Sequence, residues 1–395
     1  MTLKVAIMPT LAEDFPAIKT HLAGLQNDGL MEVVTMFANV SIESTENVLA
    51  EFDALITRQR GCPRVMPQHI GDRSSRRFYA VSLSRGADRF AGIDPAAGYR
   101  GNTKVYSNTG KGKANFEGTS QLTVMLGQLL LRPVHRALSG MAKGSYDTES
   151  SKTADLIEGK TWLIFGAGNV GSRVLAKVLP LMPKQVFIVN RTMNAEKLLR
   201  ILAHMPAHQH FSASDIAADM CGKLPAFLIN IDGYNDRPIP IRATGTGEMT
   251  DFQHVAPWLS ETDIVSIHVE GNPKIGIFLN DSFFSCLQQG ACIVNTSRAS
   301  LVDETTLVRH LQTRKIRGVA SDVLSPDVEV SKESNDSPLW QAHIAYPELN
   351  IAITPHIGGD TDLDRLRVAF GPLNDFLRDV GLPLCPVPVK YHGYI

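Results

Sequence analysis

Cysteine is scarce in this sequence: five residues in 395 (Cys62, Cys221, Cys286, Cys292 and Cys385), an odd number with no C-x-x-C pair. That excludes a disulfide framework or a structural zinc site as the organising principle, and a reducing cytoplasm is the expected home. Long hydrophobic runs are missing too. None approaches the roughly 18 residues that a membrane span needs, and Met1–Met8 turns polar too quickly for a secretory leader and reads as a first strand. Nor does either sign of charge dominate. With 39 Lys and Arg against 40 Asp and Glu, the formal net charge is −1, so there is no bulk electrostatic case for nucleic acid or an anionic membrane as partner. What remains is ordinary globular composition, 44% hydrophobic and 20% charged. Bulk disorder is excluded, and the length suits about two or three domains.

The first third alternates short apolar runs with turn-rich stretches. Val5–Met8, Val33–Met36, Ala54–Thr57, Tyr79–Leu83 and Lys104–Tyr106 are candidate strands with helical segments between them. A small parallel α/β domain follows. Leu122, Met125, Leu126, Leu129 and Leu130 then recur at helical spacing and predict one long helix over Gly118–Arg136. A second α/β region runs to Ile357, with apolar runs at 161–165, 186–189, 227–231, 264–269, 292–295 and 318–320. From Asp360 the chain is helical again and ends in a Pro-rich stretch.

The strongest local signal is Thr161–Phe165 running into Gly166-Ala167-Gly168-Asn169-Val170-Gly171, with a helix predicted over Ser172–Leu179 and a further strand at Gln185–Val189. In a G-x-G-x-x-G loop of this kind the first glycine permits the tight turn. The second lets the backbone approach a pyrophosphate, and the third lets helix and strand pack closely. The helix N-terminus then offers free N–H groups to the anion. Residues 166–171 are therefore the candidate dinucleotide site. About 20 residues on, where an acid would take the ribose 2′-OH, stand Asn190, Arg191 and Thr192. An acid there would repel a 2′-phosphate, whereas an Arg with hydrogen-bonding neighbours suits one. NADP(H) is expected over NAD(H), with NAD(H) as the alternative.

Four ordered segments follow: Val294-Asn295-Thr296-Ser297-Arg298-Ala299, Gly318-Val319-Ala320-Ser321-Asp322-Val323, Asp336-Ser337-Pro338-Leu339-Trp340, and Thr354-Pro355-His356-Ile357-Gly358-Gly359. In this order behind the glycine-rich loop, they resemble the D-isomer-specific 2-hydroxyacid dehydrogenase family. The resemblance is densest over residues 155–360 and looser at Ser84–Asp88, Ser107–Gly110 and Gly381–Pro383. It implies an α/β fold of two Rossmann-like domains with parallel sheets. A coenzyme domain (118–360, with Thr296 among its cofactor contacts) is inserted into a substrate domain (1–117 plus 361–395). It implies a homodimer to which the long helix contributes, and hydride transfer between a nicotinamide cofactor and a small 2-keto or 2-hydroxy acid. By the same resemblance, Arg298 binds the substrate carboxylate and polarises its carbonyl, and His356 is the general acid. Asp327 partners that imidazole, with Glu329 as the alternative, and Asp322 meets the nicotinamide carboxamide. The chemistry is consistent: hydride addition builds negative charge on the carbonyl oxygen, which a guanidinium stabilises and an imidazolium quenches.

Departures from the family pattern are Ala299 where Gly is usual, Val269–Lys274 in place of a P-L-T-P-x-T-type segment, and surplus length over 193–262 and 333–351. The cluster His204, His208, His210 lacks an accompanying carboxylate or Cys, so no metal is expected. Nine Arg against three acids over 58–100 leave two readings, a basic solvated face or, at Arg58 and Arg60, recognition of a second anionic group on the substrate. Rival functions on this scaffold are oxidation of another small anion such as formate or phosphite, and a nucleotide-sensing corepressor-like protein.

Overall fold

The computed structural model describes residues 2–8, 15–36, 46–57, 64–83, 90, 92–95, 98–107, 116–146, 154–205, 212–221, 224–232, 238–246, 253–269, 276–325 and 336–387. Arg58, Arg60, Asp327, Glu329, His208 and His210 lie outside these residues, as does most of Val269–Lys274. The chain forms two compact units, Met1–Asn115 with Thr361–Ile395, and Phe116–Asp360.

The first unit holds β1 (Leu3–Ile7), α1 (Pro16–Asn27), β2 (Met31–Thr35), β3 (Ala54–Thr57), α2 (Pro67–Ile70), β4 (Phe78–Ser82), β5 (Thr103–Tyr106) and α11 (Asp362–Asp379). Its sheet is parallel throughout, in the order β2-β1-β3-β4-β5. Strand alternation sorts the core onto two faces. Val5, Ile7, Ala54 and Ile56 pack with Phe370, Leu373, Phe376 and Leu377 of α11. Ala6 and Leu55 pack with Phe78, Phe90 and Ile93 on the other face. The Arg-rich stretch is partly structural: buried Arg73 donates to the carbonyls of Ile70 and Leu49, both at 2.7 Å. Arg76 pairs with buried Asp53, and Arg77 Nε donates to Asn102 Oδ1 at 2.9 Å.

The second unit runs α3 (Glu117–Leu131), α4 (Val134–Ala142), β6 (Thr161–Phe165), α5 (Asn169–Val178), β7 (Gln185–Asn190), α6 (Ala195–Leu202), β8 (Ala217–Cys221), β9 (Leu224–Asp232) and β10 (Pro238–Gly245). It continues with α7 (Ala256–Leu259), β11 (Ile264–Ile267), α8 (Asp281–Cys286), β12 (Ala291–Asn295), α9 (Glu304–Gln312), β13 (Ile316–Ser321), α10 (Pro338–Ala345) and β14 (Ile351–Ile353). Nine strands form one sheet in the order β14-β13-β12-β11-β6-β7-β10-β9-β8. Trp162 and Ile164 enter one core and Leu163 and Phe165 the other, as do Val186 and Ile188 against Phe187 and Val189. Gly127 lets α3 approach the sheet, because a Cβ there would stand 2.4 Å from the Trp162 ring.

Two expectations are corrected. The long helix over Gly118–Arg136 is two helices, broken at Pro133. Proline disfavours helical backbone in the residue before it, and Arg132 is extended there (φ −124°, ψ 95°). The sheet is not wholly parallel either: the surplus 193–262 adds β8 and β9, and both β8–β9 and β9–β10 pair antiparallel. Strand β10 carries Pro238 and Pro240, which cannot donate to a ladder. Its parallel pairing with β7 begins only at Ile241, so both prolines lie beyond that ladder. Among the described residues no helix is long and apolar enough to cross a membrane.

Candidate functional site

All site residues that fall within the described set lie in the second unit, at the C-terminal ends of its parallel strands. From β6 the chain proceeds one way to β7 and β10 and, later, the other way through β11, β12, β13 and β14. Such a reversal opens a crevice at the strand ends. Here Gly166 sits at that point with φ +92°, and a Cβ on it would stand 2.9 Å from the His268 carbonyl, at the end of β11.

The three glycines of the loop divide as their chemistry requires. Gly166 N–H donates to Val189 O at 2.8 Å, fastening the turn to β7. A Cβ on Gly171 would lie 2.2 Å from Gly166 O and 3.1 Å from Ile164. A Cβ on Gly168, the N-cap of α5, would meet nothing within 4 Å. That open space beside a ten-residue helix N-terminus suits a phosphate-bearing dinucleotide. Asn169 is exposed and Val170 half-buried on the same turn.

At the end of β7, Asn190 Oδ1 accepts a hydrogen bond from Ala167 N–H at 3.2 Å, so that side chain braces the glycine-rich loop. Arg191 and Thr192 are exposed. Lys197 on α6 donates to Thr192 Oγ1 at 3.1 Å, and burial, then the Arg191 and Arg200 charges, push its ammonium below the ordinary lysine range. Lys197 extends the predicted cluster. Its place six residues after Arg191, one helical turn into α6, was the available sequence signal.

Arg298 follows β12 in a turn clamped by buried Asn295. Asn295 Oδ1 accepts from Ser297 N–H and its Nδ2 donates to Arg298 O, both at 3.0 Å. Arg298 itself is half-buried and extended (φ −139°, ψ 140°). Thr296 Oγ1 lies 2.8 Å from Thr123 Oγ1 of α3. Thr123 donates its one proton to Thr119 O at 2.8 Å, so Thr296 donates to Thr123.

Asp322, at the end of β13, is buried, and its carboxylate organises the next turn. Oδ1 accepts from Thr354 Oγ1 at 2.6 Å and from Ile357 N–H at 2.9 Å, while Oδ2 accepts from Gly358 N–H at 2.8 Å. Its own N–H donates to Asn295 O at 2.9 Å. His356 is exposed at the crest of this turn with φ +56°, a conformation uncommon for a non-glycine residue and concentrated at functional sites. A continuous backbone and side-chain network thus runs from the Arg298 turn through Asn295 and Asp322 to the His356 turn. Sequence reasoning overlooked Asn295 as a clamp, and also Glu304. The buried Glu304 carboxylate accepts from Ser325 N–H at 2.8 Å and Ser337 Oγ at 2.6 Å, tying together both ends of the 326–335 stretch.

A D-isomer specific 2-hydroxyacid dehydrogenase, NAD binding domain profile matches residues 211–358, the span that carries Arg298, Asp322 and His356. Over that span the chain is similar to the D-isomer specific 2-hydroxyacid dehydrogenase family. D-3-phosphoglycerate dehydrogenase of Escherichia coli K12, a relative, is 31% identical over 115 residues, covering 29% of this chain and 27% of that protein. The D-2-hydroxyacid dehydrogenase (NAD+) of Lacticaseibacillus paracasei is 26% identical over 132 residues, 32% of this chain and 38% of that one. The chain thus spans well under half the length of these curated relatives. Apo D-lactate dehydrogenase from Escherichia coli shares the fold, with a TM-score of 0.60 at 17% identity, over 97% of this chain and 99% of that chain.

His268 stands beside the glycine-rich loop, and its two buried ring nitrogens have no hydrogen-bond partner among the described residues. Burial pushes its imidazole down to about 3, whereas an unfolded histidine titrates near about 6.5. Between those values the unfolded chain binds the extra proton, so acidification costs up to about 1.4 kcal/mol of stability per pH unit. His268→Asn, neutral throughout, is expected to lose less stability than the native chain between about pH 7 and 5. Urea midpoints at the two pH values measure this, and equal losses in both proteins would refute it.

Proposed function

We propose that this protein catalyses reversible hydride transfer between a nicotinamide dinucleotide and a small 2-keto or 2-hydroxy acid. The observation that carries the reading is the Asn295–Asp322 network, which fastens the Arg298 and His356 turns to neighbouring strand ends beside the glycine-rich loop. Gly166, Gly168 and Gly171, with Asn169 and Val170, hold the dinucleotide pyrophosphate, and Thr296 and Asp322 support the nicotinamide end. When bound, the cofactor supplies or accepts the hydride. Arg298 anchors the substrate carboxylate and stabilises negative charge on the adjacent carbonyl oxygen. In the reducing direction His356 delivers a proton to that oxygen, and in the oxidising direction it removes one. Asp327 is the carboxylate assigned to that imidazole, and Arg58 and Arg60 are assigned to a second anionic group on the substrate. Unchanged Michaelis constants in both Arg58→Ala and Arg60→Ala would withdraw that last assignment.

NADP(H) is the proposed cofactor. Arg191 and Lys197 have no carboxylate partner among the described residues, and no acid stands among Asn190, Arg191 and Thr192 at the end of β7 to repel a 2′-phosphate. Absorbance at 340 nm with NADPH or NADH, against glyoxylate, hydroxypyruvate and phosphorylated keto acids, tests both claims. Turnover is expected to favour NADPH, and Arg191→Ala with Lys197→Ala to lose about tenfold or more of that preference, since a charged hydrogen bond contributes about 1.5–3 kcal/mol. An NADH preference in the native chain overturns the NADP(H) reading, and absence of turnover on every acid overturns the reaction.

A cytoplasmic homodimer is also proposed. Burial pushes the Cys221, Cys292 and Cys385 thiols up to about 12, and none of the three is in a disulfide. On α4, Val134, Leu138 and Met141 form one apolar stripe, all at least 43% exposed. A stripe of that kind marks an association surface. Leu138→Asp is expected to shift the sedimentation coefficient from dimer to monomer; a native monomer ends the idea.

A further inference from the structure

Opposite its exposed apolar stripe, α4 presents a second, partly exposed face. Arg136, Gly140 and Lys143 recur one helical turn apart and line a cavity of about 740 Å3 within the second unit, enclosed also by α3, α10 and the edge strand β14. The volume falls in the usual range for a small-molecule site. Its charged groups have one sign: Arg136 and Lys143 line it beside the imidazoles of His135 and His343, and no carboxylate among the described residues does. Arg136 and Lys143 have no carboxylate partner among those residues either. Ser139, Ser145 and Thr354 add hydroxyl groups, and Leu126 of α3 with Ile351 and Ile353 of β14 are among the apolar lining.

His135 marks the imbalance. Both its ring nitrogens are buried with no hydrogen-bond partner among the described residues, and burial, with the Arg136 and His343 charges, pushes its imidazole down to about 4. Buried polar atoms left unpaired are uncommon and call for a partner. An anion in the cavity would supply one and offset the clustered positive charge. The cavity also reaches the reaction machinery. Thr354, which lines it, donates to Asp322 Oδ1 at 2.6 Å and accepts from His356 N–H at 2.9 Å.

We propose that this cavity binds an amphiphilic anion, a carboxylate or phosphate on a short apolar body, and that its occupancy is felt at the His356 turn through Thr354. The second half rests on the role given to His356 above; the binding site itself does not.

Calorimetry of the full chain with octanoate, octyl phosphate and 1-octanol tests the site directly. Both anions are expected to saturate a single site and octanol to bind about tenfold more weakly or worse, because it cannot answer the cations. Arg136→Gln with Lys143→Gln should weaken both anions about tenfold or more, while Lys19→Gln on α1 leaves them unchanged. Tighter binding of one anion identifies the head group and supports the site. Octanol binding as tightly as octanoate overturns it, as does undiminished anion binding in the double variant. Binding seen only after the chain is driven to monomer overturns it too, since a second copy would then be the occupant. Histidine-selective NMR supplies a readout independent of turnover: octanoate should move the His135 titration to higher pH and shift the His356 resonance. A stationary His356 resonance in the saturated protein overturns the coupling. Failure of every keto acid in the 340-nm assay would leave these binding results intact, so the two readings fail separately.

Discussion

His356→Asn is expected to lower turnover by about 10²- to 10⁴-fold, the usual contribution of a positioned acid or base, without weakening dinucleotide binding. The choice of asparagine matters. His356 holds a left-handed backbone (φ +56°), which asparagine adopts more readily than most residues because its short polar side chain can bond locally. The turn itself is pinned from outside by Asp322, through Ile357 N–H, Gly358 N–H and Thr354 Oγ1. The substitution therefore removes the proposed proton carrier and leaves its mounting. Single-turnover rates with saturating cofactor, together with cofactor titration by fluorescence, separate the two effects. Turnover within about tenfold of native would remove His356 from the role of acid.

The glycine-rich loop yields the second large effect, as a contrast between two alanines. Gly171→Ala would place a Cβ 2.2 Å from Gly166 O. Gly166 cannot easily yield, because its N–H is bonded to Val189 O and its Cα faces the His268 backbone. Overpacking against groups that cannot move costs about 1–3 kcal/mol or more, so both the melting temperature and dinucleotide affinity are expected to fall. At Gly168, by contrast, a Cβ meets nothing within 4 Å among the described residues, and the backbone has an ordinary negative φ of −81°. Gly168→Ala should melt as the native protein does, yet bind dinucleotide about tenfold more weakly or worse, a loss of about 1.4 kcal/mol or more. The expectation is contradicted if Gly168→Ala binds the cofactor normally, or if Gly171→Ala melts unchanged.

Much of this was legible before any coordinates. β3 and β6 have the bounds their apolar runs indicate, Ala54–Thr57 and Thr161–Phe165, because strands buried on both faces read as continuous hydrophobic segments. β8 and β10 were not legible. Most of β8 is exposed, and β10 carries two prolines that argue against a strand. β8 pairs locally with the following β9, Cys221 opposite Leu224, while the pairing of β10 with β7, Ile241 opposite Val186, is a long-range choice. The break at Pro133 was written in the chain, but five leucine and methionine residues at helical spacing outweighed it.

At the site, the glycine-rich loop was legible from residue type and spacing, and Arg298, Asp322 and His356 from an order of motifs that resembles the family. Only the tertiary structure decided what holds them. Asp322 grips the His356 turn 34 residues further along the chain, Asn295 clamps the Arg298 turn, and Lys197 joins Arg191 beyond β7. Hydrogen bonds between strand-end turns depend on strand order and register, which no local pattern encodes. The identity of the proposed reacting groups is a property of the sequence, and their orientation is a property of the sheet.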